Sequence, residues 1–284
     1  MDAVDEARKS EEAEAFVRRV EELKQLRERM ERVRHKVAVM SGKGGVGKSL
    51  VTVNLATTLA AKGKKVGVLD ADLHGPTVPK MLGLKGAHLE AGENGIIPPM
   101  TPSGIKVASM DFLLPSQDSP VIWRGPLKMV AIRQLLTDVD WGELDYLLID
   151  LPPGTGDESL TVLQLLPGID GVVIVTMPNE VSGQVVEKSI SFARQLKAPV
   201  IGVVENMSYL ICPHCNKRID LFGSGVAERV ASEMGVPFLG SIPLEPKIAQ
   251  NSDSGTPFVS ENPNSPAAKA FIGIVAEIEK FVEL

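Results

Sequence analysis

Three groups of residues in this chain have the types and spacing that chemistry needs. The first is Gly42–Ser49, GKGGVGKS, which fits G-x-x-x-x-G-K-[ST]. Gly42, Gly44, Gly45 and Gly47, with Val46 among them, let consecutive backbone N–H groups turn inward around phosphate oxygens. Lys48 brings a point charge to the β- and γ-phosphates, and Ser49 a hydroxyl for Mg²⁺. The second group is acidic. VLDAD carries Asp70 and Asp72, and LLIDLPPGTGD carries Asp150 and Asp157, each at or beyond the end of an apolar run. Asp150 is suited to holding the water shell of Mg²⁺, and Asp72 to orienting a water on the γ-phosphate. Each also fits a helix cap or a strand-end charge, Asp157 most of all. The third group is Cys212 and Cys215 in CPHC, the only cysteines of the chain. A closed metal site usually takes four ligands, and one chain offers two thiols.

The elements that must position these groups are visible as texture. KVAVM, KVGVLDAD, DYLLIDLPPG, GVVIVTMP, PVIGVVENMS and VPFLGSIP read as buried strands, with helical segments between them. Such alternation predicts an α/β fold, a mainly parallel sheet with helices on both faces. The phosphate pattern falls between the first strand and a helix, LVTVNLATTLAAKG, where a P-loop NTPase fold requires it. Residues 83–124 are rich in Gly and Pro and read as an irregular excursion with small strands, GIKVASM and PVIWRGP. Residues 5–34, free of Gly and Pro, read as an amphipathic helix striped by Val20, Leu23, Leu26, Met30 and Val33. The division expected is a charged helix over 1–35 and a P-loop ATPase domain with its C-x-x-C motif over 36–284. Met177, Met207 and Met234 read as core.

Composition narrows the classes. A hydrophobic share of 44% and a charged share of 23% are those of a globular chain, and a net charge of −6 gives no hint of nucleic acid. No apolar run approaches the length of a membrane span, and the acidic, mixed N-terminus does not read as a signal peptide. Two closely spaced cysteines make no disulfide framework, so a reducing cytoplasm is the expected compartment.

Lys43 follows the first glycine of the loop, where an ordinary phosphate loop asks for no lysine. GKGGVGKS resembles the deviant Walker A motif of the MinD-like ATPases. That group includes the nitrogenase iron protein, the arsenite-pump ATPase, chromosome-partition ATPases and iron–sulfur scaffold ATPases. DADLHGPTVP, WRGP, DYLLIDLPPGTGD, VVENMSYLICPHC and GSIPLEPKIAQNSDSGTPFV follow in order after Lys36. They resemble the Mrp/ApbC branch, nucleotide-binding scaffolds for iron–sulfur cluster assembly. The resemblance implies ATP as the nucleotide and a homodimer at least when ATP is bound. In that dimer Lys43 reaches the partner's phosphates and joins Lys48 and Asp72 in catalysis. It also implies Asn206 on the adenine and Asp253 near the base or ribose. Eukaryotic scaffold members carry an N-terminal four-cysteine motif that this chain lacks, so no second cluster site is expected.

A dimer offers the cysteines a completing pair. Cys212 and Cys215 from two chains make a four-thiolate site suited to a [4Fe-4S] cluster or to Zn²⁺. Half a zinc ribbon and a thioredoxin-like redox pair are the other readings. The redox motif opens a helix near the first strand, whereas CPHC follows a later strand and contains Pro213. His214 reads as a spacer. Trp123 and Arg124 of WRGP fit either a docking feature or a buried ring beside a surface charge. The function expected is an ATP-hydrolysing iron–sulfur cluster carrier serving apo iron–sulfur proteins, with no nucleic acid and no membrane among its partners. The alternative is a MinD/ParA-like positioning ATPase acting on membrane or DNA. That class needs a basic tail or face, and the C-terminal AEIEKFVEL is acidic.

Overall fold

The computed structural model describes residues 2–72, 75–113 and 125–284. Its first half runs α1 (Asp2–Glu31), β1 (Val33–Met40), α2 (Lys48–Ala61), β2 (Val66–Asp70), α3 (Val78–Met81), β3 (Glu90–Gly92), β4 (Gly95–Ile97) and β5 (Lys106–Ser109). Then come α4 (Gly125–Thr137), β6 (Leu144–Asp150), α5 (Asp157–Leu165), β7 (Gly171–Thr176), α6 (Glu180–Gln195) and β8 (Val200–Glu205). The chain closes with β9 (Leu210–Ile211), β10 (Arg218–Ile219), α7 (Val226–Glu233), β11 (Phe238–Ser241), α8 (Pro246–Ser254), α9 (Phe258–Glu261) and α10 (Pro266–Val282).

Seven strands form one parallel sheet in the order β11-β8-β7-β1-β6-β2-β5. Every residue of β2 and of β7 is buried, as β-branched runs covered on both faces must be. Alternate residues of β1 serve two cores. Ala38 and Met40 join α1, α4, α5, α6 and α7 on one face; Val37 and Val39 join α2, α3, α8, α9 and α10 on the other.

Three local readings change. The stripe on α1 is only half used: Leu26 and Met30 are buried, whereas Val20 and Leu23 are about half exposed. Val33 belongs to β1 rather than to the helix, so the division at residue 36 falls inside a strand. Polar His35 and Lys36 can enter that strand because they have partners. Lys36 Nζ donates to the carbonyls of Met30 (3.2 Å) and Val33 (2.8 Å). Asp170 accepts from Lys36 N (2.7 Å) and faces His35 Nδ1 (3.1 Å). Desolvation pulls the Lys36 pKa below its ordinary value, and Asp170 opposes that shift. GIKVASM, read as a short extended piece of an irregular excursion, supplies β5, which forms the edge of the main sheet beside β2. PVIW, Trp123 and Arg124 lie outside the described residues. No helix among the described residues is long and apolar enough to cross a membrane.

Candidate functional site

The carboxyl ends of β1, β2 and β6 converge, and open α/β sheets place ligands at such ends. Asp150 stands in register with Val39 on one side and Asp70 on the other. The loop leaving β1 is drawn tight over this junction. Gly154 N donates to Ser41 O (2.7 Å), tying the loop after β6 to the start of the phosphate loop. Gly42 packs against α6 so closely that a Cβ there would lie 2.0 Å from Val185 Cγ1. Gly47 has φ 83°, in the left-handed region, and α2 opens at the next residue. The dipole of α2 thus points its positive end at the loop.

Asp150 is fully buried and gathers three donors. Lys48 Nζ pairs with its Oδ2 at 2.7 Å, Ser49 Oγ donates to the same oxygen at 2.6 Å, and Thr52 Oγ1 donates to Oδ1 at 2.7 Å. Thr52 was not singled out in the sequence, although a hydroxyl one helical turn beyond Lys48 was the available signal. Asp70, also fully buried, accepts from Asp72 N (3.1 Å), Val78 N (3.3 Å) and Ser109 Oγ (3.4 Å). It thereby anchors both ends of the loop that presents Asp72. Burial, and then the charge of Asp150, push the Asp70 carboxyl well above the ordinary carboxylate range, while Lys48 pulls the other way.

A cavity of roughly 310 Å³ lies over this junction, walled by residues of the 44–50 loop with Asp72, Gly75, Thr77, Met81, Pro153 and Met207. It therefore gathers Gly44, Gly45, Val46, Gly47, Lys48, Ser49 and Asp72 from the sequence reading, with Asp150 beneath them. Gly42 supports the loop from behind. Lys43 is half-buried, does not line the cavity, and its ammonium has no partner among the described residues. Asn206 is buried, and its Nδ2 donates to Val46 O (2.9 Å), so it grips the phosphate loop from the end of β8. Asp157 is exposed in the first turn of α5, a helix-end position. Asp253 is exposed and pairs with Lys80 of α3 at 2.7 Å. Met207 departs from the core reading: it lines the cavity with φ 55°, while Met177 and Met234 pack against the cores. Glu205 was also missed. Its buried carboxylate accepts from Ser208 Oγ and from Ala227 N at the start of α7.

The thiols stand on the short antiparallel hairpin of β9 and β10. Cys212 N donates to Lys217 O and Asn216 N to Cys212 O, both at 2.9 Å, and Asn216 takes φ 55° to close the turn. Cys212 is partly exposed and Cys215 exposed. Backbone N–H groups of Cys215 and His214 point at the Cys212 sulfur and, with the Cys215 side chain, lower its pKa. Such a turn stabilises thiolate, the form that binds metal. Among the described residues no group of three His, Cys, Asp or Glu is placed to hold a metal.

Comparison with known proteins identifies the family. Residues 32–279 match the ParA family model described as NUBPL iron-transfer P-loop NTPase. An iron-sulfur cluster carrier protein of Saccharolobus solfataricus is 54% identical over 90% of this chain and 86% of its own length. Its namesake from Methanocaldococcus jannaschii is 55% identical over 91% and 88%. Among solved structures, the nucleotide-binding protein of Archaeoglobus fulgidus in complex with ADP is 46% identical. It aligns at a TM-score of 0.74, covering 82% of this chain and 91% of its own. The cell division ATPase MinD of Pyrococcus furiosus shares the fold at 24% identity and a TM-score of 0.64, over 87% of this chain and 98% of its own. With a phosphate loop seated at the centre of a parallel sheet and a family model spanning nearly its whole length, the chain belongs to the NUBPL iron-transfer family of P-loop NTPases.

Proposed function

We propose that the protein binds and hydrolyses Mg²⁺–ATP at Gly42–Ser49 and carries an iron–sulfur cluster as cargo. The cargo would be held by Cys212 and Cys215 of two copies and delivered to apo-proteins. The observation that carries this reading is the short segment from Asn206 to Cys212. Asn206 holds Val46 of the phosphate loop, Met207 lines the nucleotide cavity, and Cys212 opens the thiol turn. The stretch between is pinned: Ser208 N donates to Ile242 O (2.9 Å) and Leu244 N to Tyr209 O (2.7 Å). A shift of the phosphate loop thus has one unbroken, well-braced path of backbone to the cysteines.

The chain's own residues divide the work. Lys48 exchanges its partner Asp150 for the β- and γ-phosphates. The Ser49 hydroxyl and Asp150 carboxylate are hard oxygen donors that fit Mg²⁺, which would supply positive charge to the phosphate oxygens. Asp72, at the cavity wall, orients the attacking water. Lys43 adds its charge to the phosphates of the second copy, so hydrolysis waits for the homodimer to close. Two free thiols and an iron–sulfur cargo suit a reducing cytoplasm. The names of the curated relatives support the cargo.

The test is anaerobic reconstitution with iron and sulfide, followed by transfer to an apo iron–sulfur protein with and without ATP. The expected result is cluster uptake and transfer by the parent protein, and neither in Cys212→Ser. Full cluster binding by Cys212→Ser would overturn the reading. ATP-dependent pelleting of metal-free protein with liposomes or DNA would favour a positioning ATPase instead.

A further inference from the structure

Beside the thiol turn lies an apolar patch that neither the nucleotide nor the cluster chemistry uses. Ile219, Leu221 and Phe222 are 41, 44 and 45% exposed. They lie four to seven residues beyond Cys215 in the chain, among exposed polar residues. The patch is held in place. Ile219 is paired with Leu210 in the hairpin. Gly223, at φ 106°, passes so close to Pro178 that a Cβ there would lie 2.7 Å from its carbonyl oxygen. Arg218 stacks over the Tyr209 ring at 4.2 Å and donates to Asp220 at 2.8 Å, so the two charges flanking Ile219 cancel each other.

We infer that Ile219, Leu221 and Phe222 are the surface a second copy of this chain covers when two pairs of thiols close on one cluster. The inference rests on the shared-cluster reading above. Each chain brings two thiols, and no third ligand is gathered near them among the described residues. The surface around the thiols must therefore face whatever brings the other two. Closure about a two-fold axis sets the surface around the thiols against the same surface of the second copy, so that surface as a whole must be self-complementary. An apolar ledge with its charges paired meets that condition; a single-sign charged one would repel itself. Size decides how the contact is used. Three half-exposed side chains offer on the order of 200 Å² per copy, against about 800 Å² per partner in a stable interface. The patch therefore seals a joint that the cargo makes and does not hold the chains together alone. Once sealed, it keeps water and oxygen off the cluster, and solvent exposure is among the factors that set a cluster's potential.

The experiment compares the parent, Leu221→Ser/Phe222→Ser and Cys212→Ser/Cys215→Ser after anaerobic reconstitution without nucleotide. It reads iron and sulfide per chain, sedimentation, and the rate at which visible absorption bleaches in air. The Leu221/Phe222 variant is expected to load as the parent does. Its loaded dimer should dissociate at about tenfold higher protein concentration and bleach about tenfold faster, the scale of losing one buried anchor. Equal bleaching and equal dimerisation overturn the inference. A second readout needs no polar substitution: Phe222→Trp, loaded with Zn²⁺ as a non-bleaching probe, is read by acrylamide quenching against the parent. Quenching is expected to fall on loading; unchanged quenching overturns the inference. Failure of the shared-cluster reading looks different, because then the parent takes up no cluster or the double cysteine variant takes up as much.

Discussion

At the phosphate site a buried carboxylate, Asp150, is met by three donors of its own chain: Lys48, Ser49 and Thr52. At the thiol site two sulfurs sit on a hairpin of two-residue strands, with exposed apolar side chains beside them. Acidic groups respond in opposite directions. Burial raises the Asp70 carboxyl, whereas N–H groups at an exposed turn lower the Cys212 thiol. The first site is knit by buried partners from its own chain and is part of what holds the fold together. The second contributes little to the fold and, on the proposed function, brings half of the four thiolates. On the function proposed above, one chain completes nucleotide binding, while cargo binding takes two.

That contrast can be broken most severely at Asp150. Asp150→Ala leaves the Lys48 ammonium buried without its partner and should cost about 3–5 kcal/mol of stability. Urea unfolding should show this, together with loss of ATP hydrolysis. Cys212→Ala, by contrast, should stay within about 0.5 kcal/mol of the parent. Equal costs at the two positions would dissolve the distinction.

Lys43 tests whether the phosphate site, complete for binding, is also complete for hydrolysis. Lys43→Ala should lower kcat by about 10³-fold, the scale of a charge supplied in trans. Nucleotide affinity, measured by calorimetry, should not change, because Lys43 lies outside the cavity. A parallel loss of affinity would place Lys43 in its own chain's site.

Gly47 probes the brace between the two sites. At φ 83° an alanine is strained, and its Cβ would lie 2.2 Å from Asn206 Nδ2. Gly47→Ala should cost about 2 kcal/mol. Paired with Asn206→Ala it should cost less than the two single losses summed, because the clashing amide is gone. Thermal or urea unfolding of the three variants checks this.

The smallest effects are in pH. Asp70 has its folded-state pKa raised, so its contribution to stability is full below the ordinary carboxylate value. That contribution is lost as pH rises through the raised value. Asp70→Asn should flatten this part of the stability profile. Cys212, its pKa lowered, should be alkylated by iodoacetamide at pH values below the usual thiol range. Peptide mapping at several pH values would read it.

What the sequence disclosed follows from how local each feature is. GKGGVGKS and the strand-end aspartates are contiguous, and their spacing alone places them at the carboxyl end of a buried sheet. The six strands read from apolar runs all pair in the main sheet. The seventh, β5, looked peripheral because its pairing with β2 joins residues about forty apart, with a Gly/Pro-rich stretch between. The boundary of α1 was misplaced because Val33 continues the helical stripe, whereas pairing with the distant β6, joined by contacts to Asp170, places Val33, His35 and Lys36 in a strand. The roles of Thr52, Glu205 and Asp70 depend on partners brought together by folding. Lys43 is the reverse case: its place in the loop stands out in the sequence, and among the described residues its ammonium has no partner.

Native mass spectrometry of anaerobically reconstituted protein would weigh the two sites against each other in one spectrum. The expected species are a single chain carrying ADP and a pair of chains carrying one four-iron cluster between them. A cluster retained on a single chain, with Cys212 and Cys215 both required, would contradict the division into one complete site and one half site.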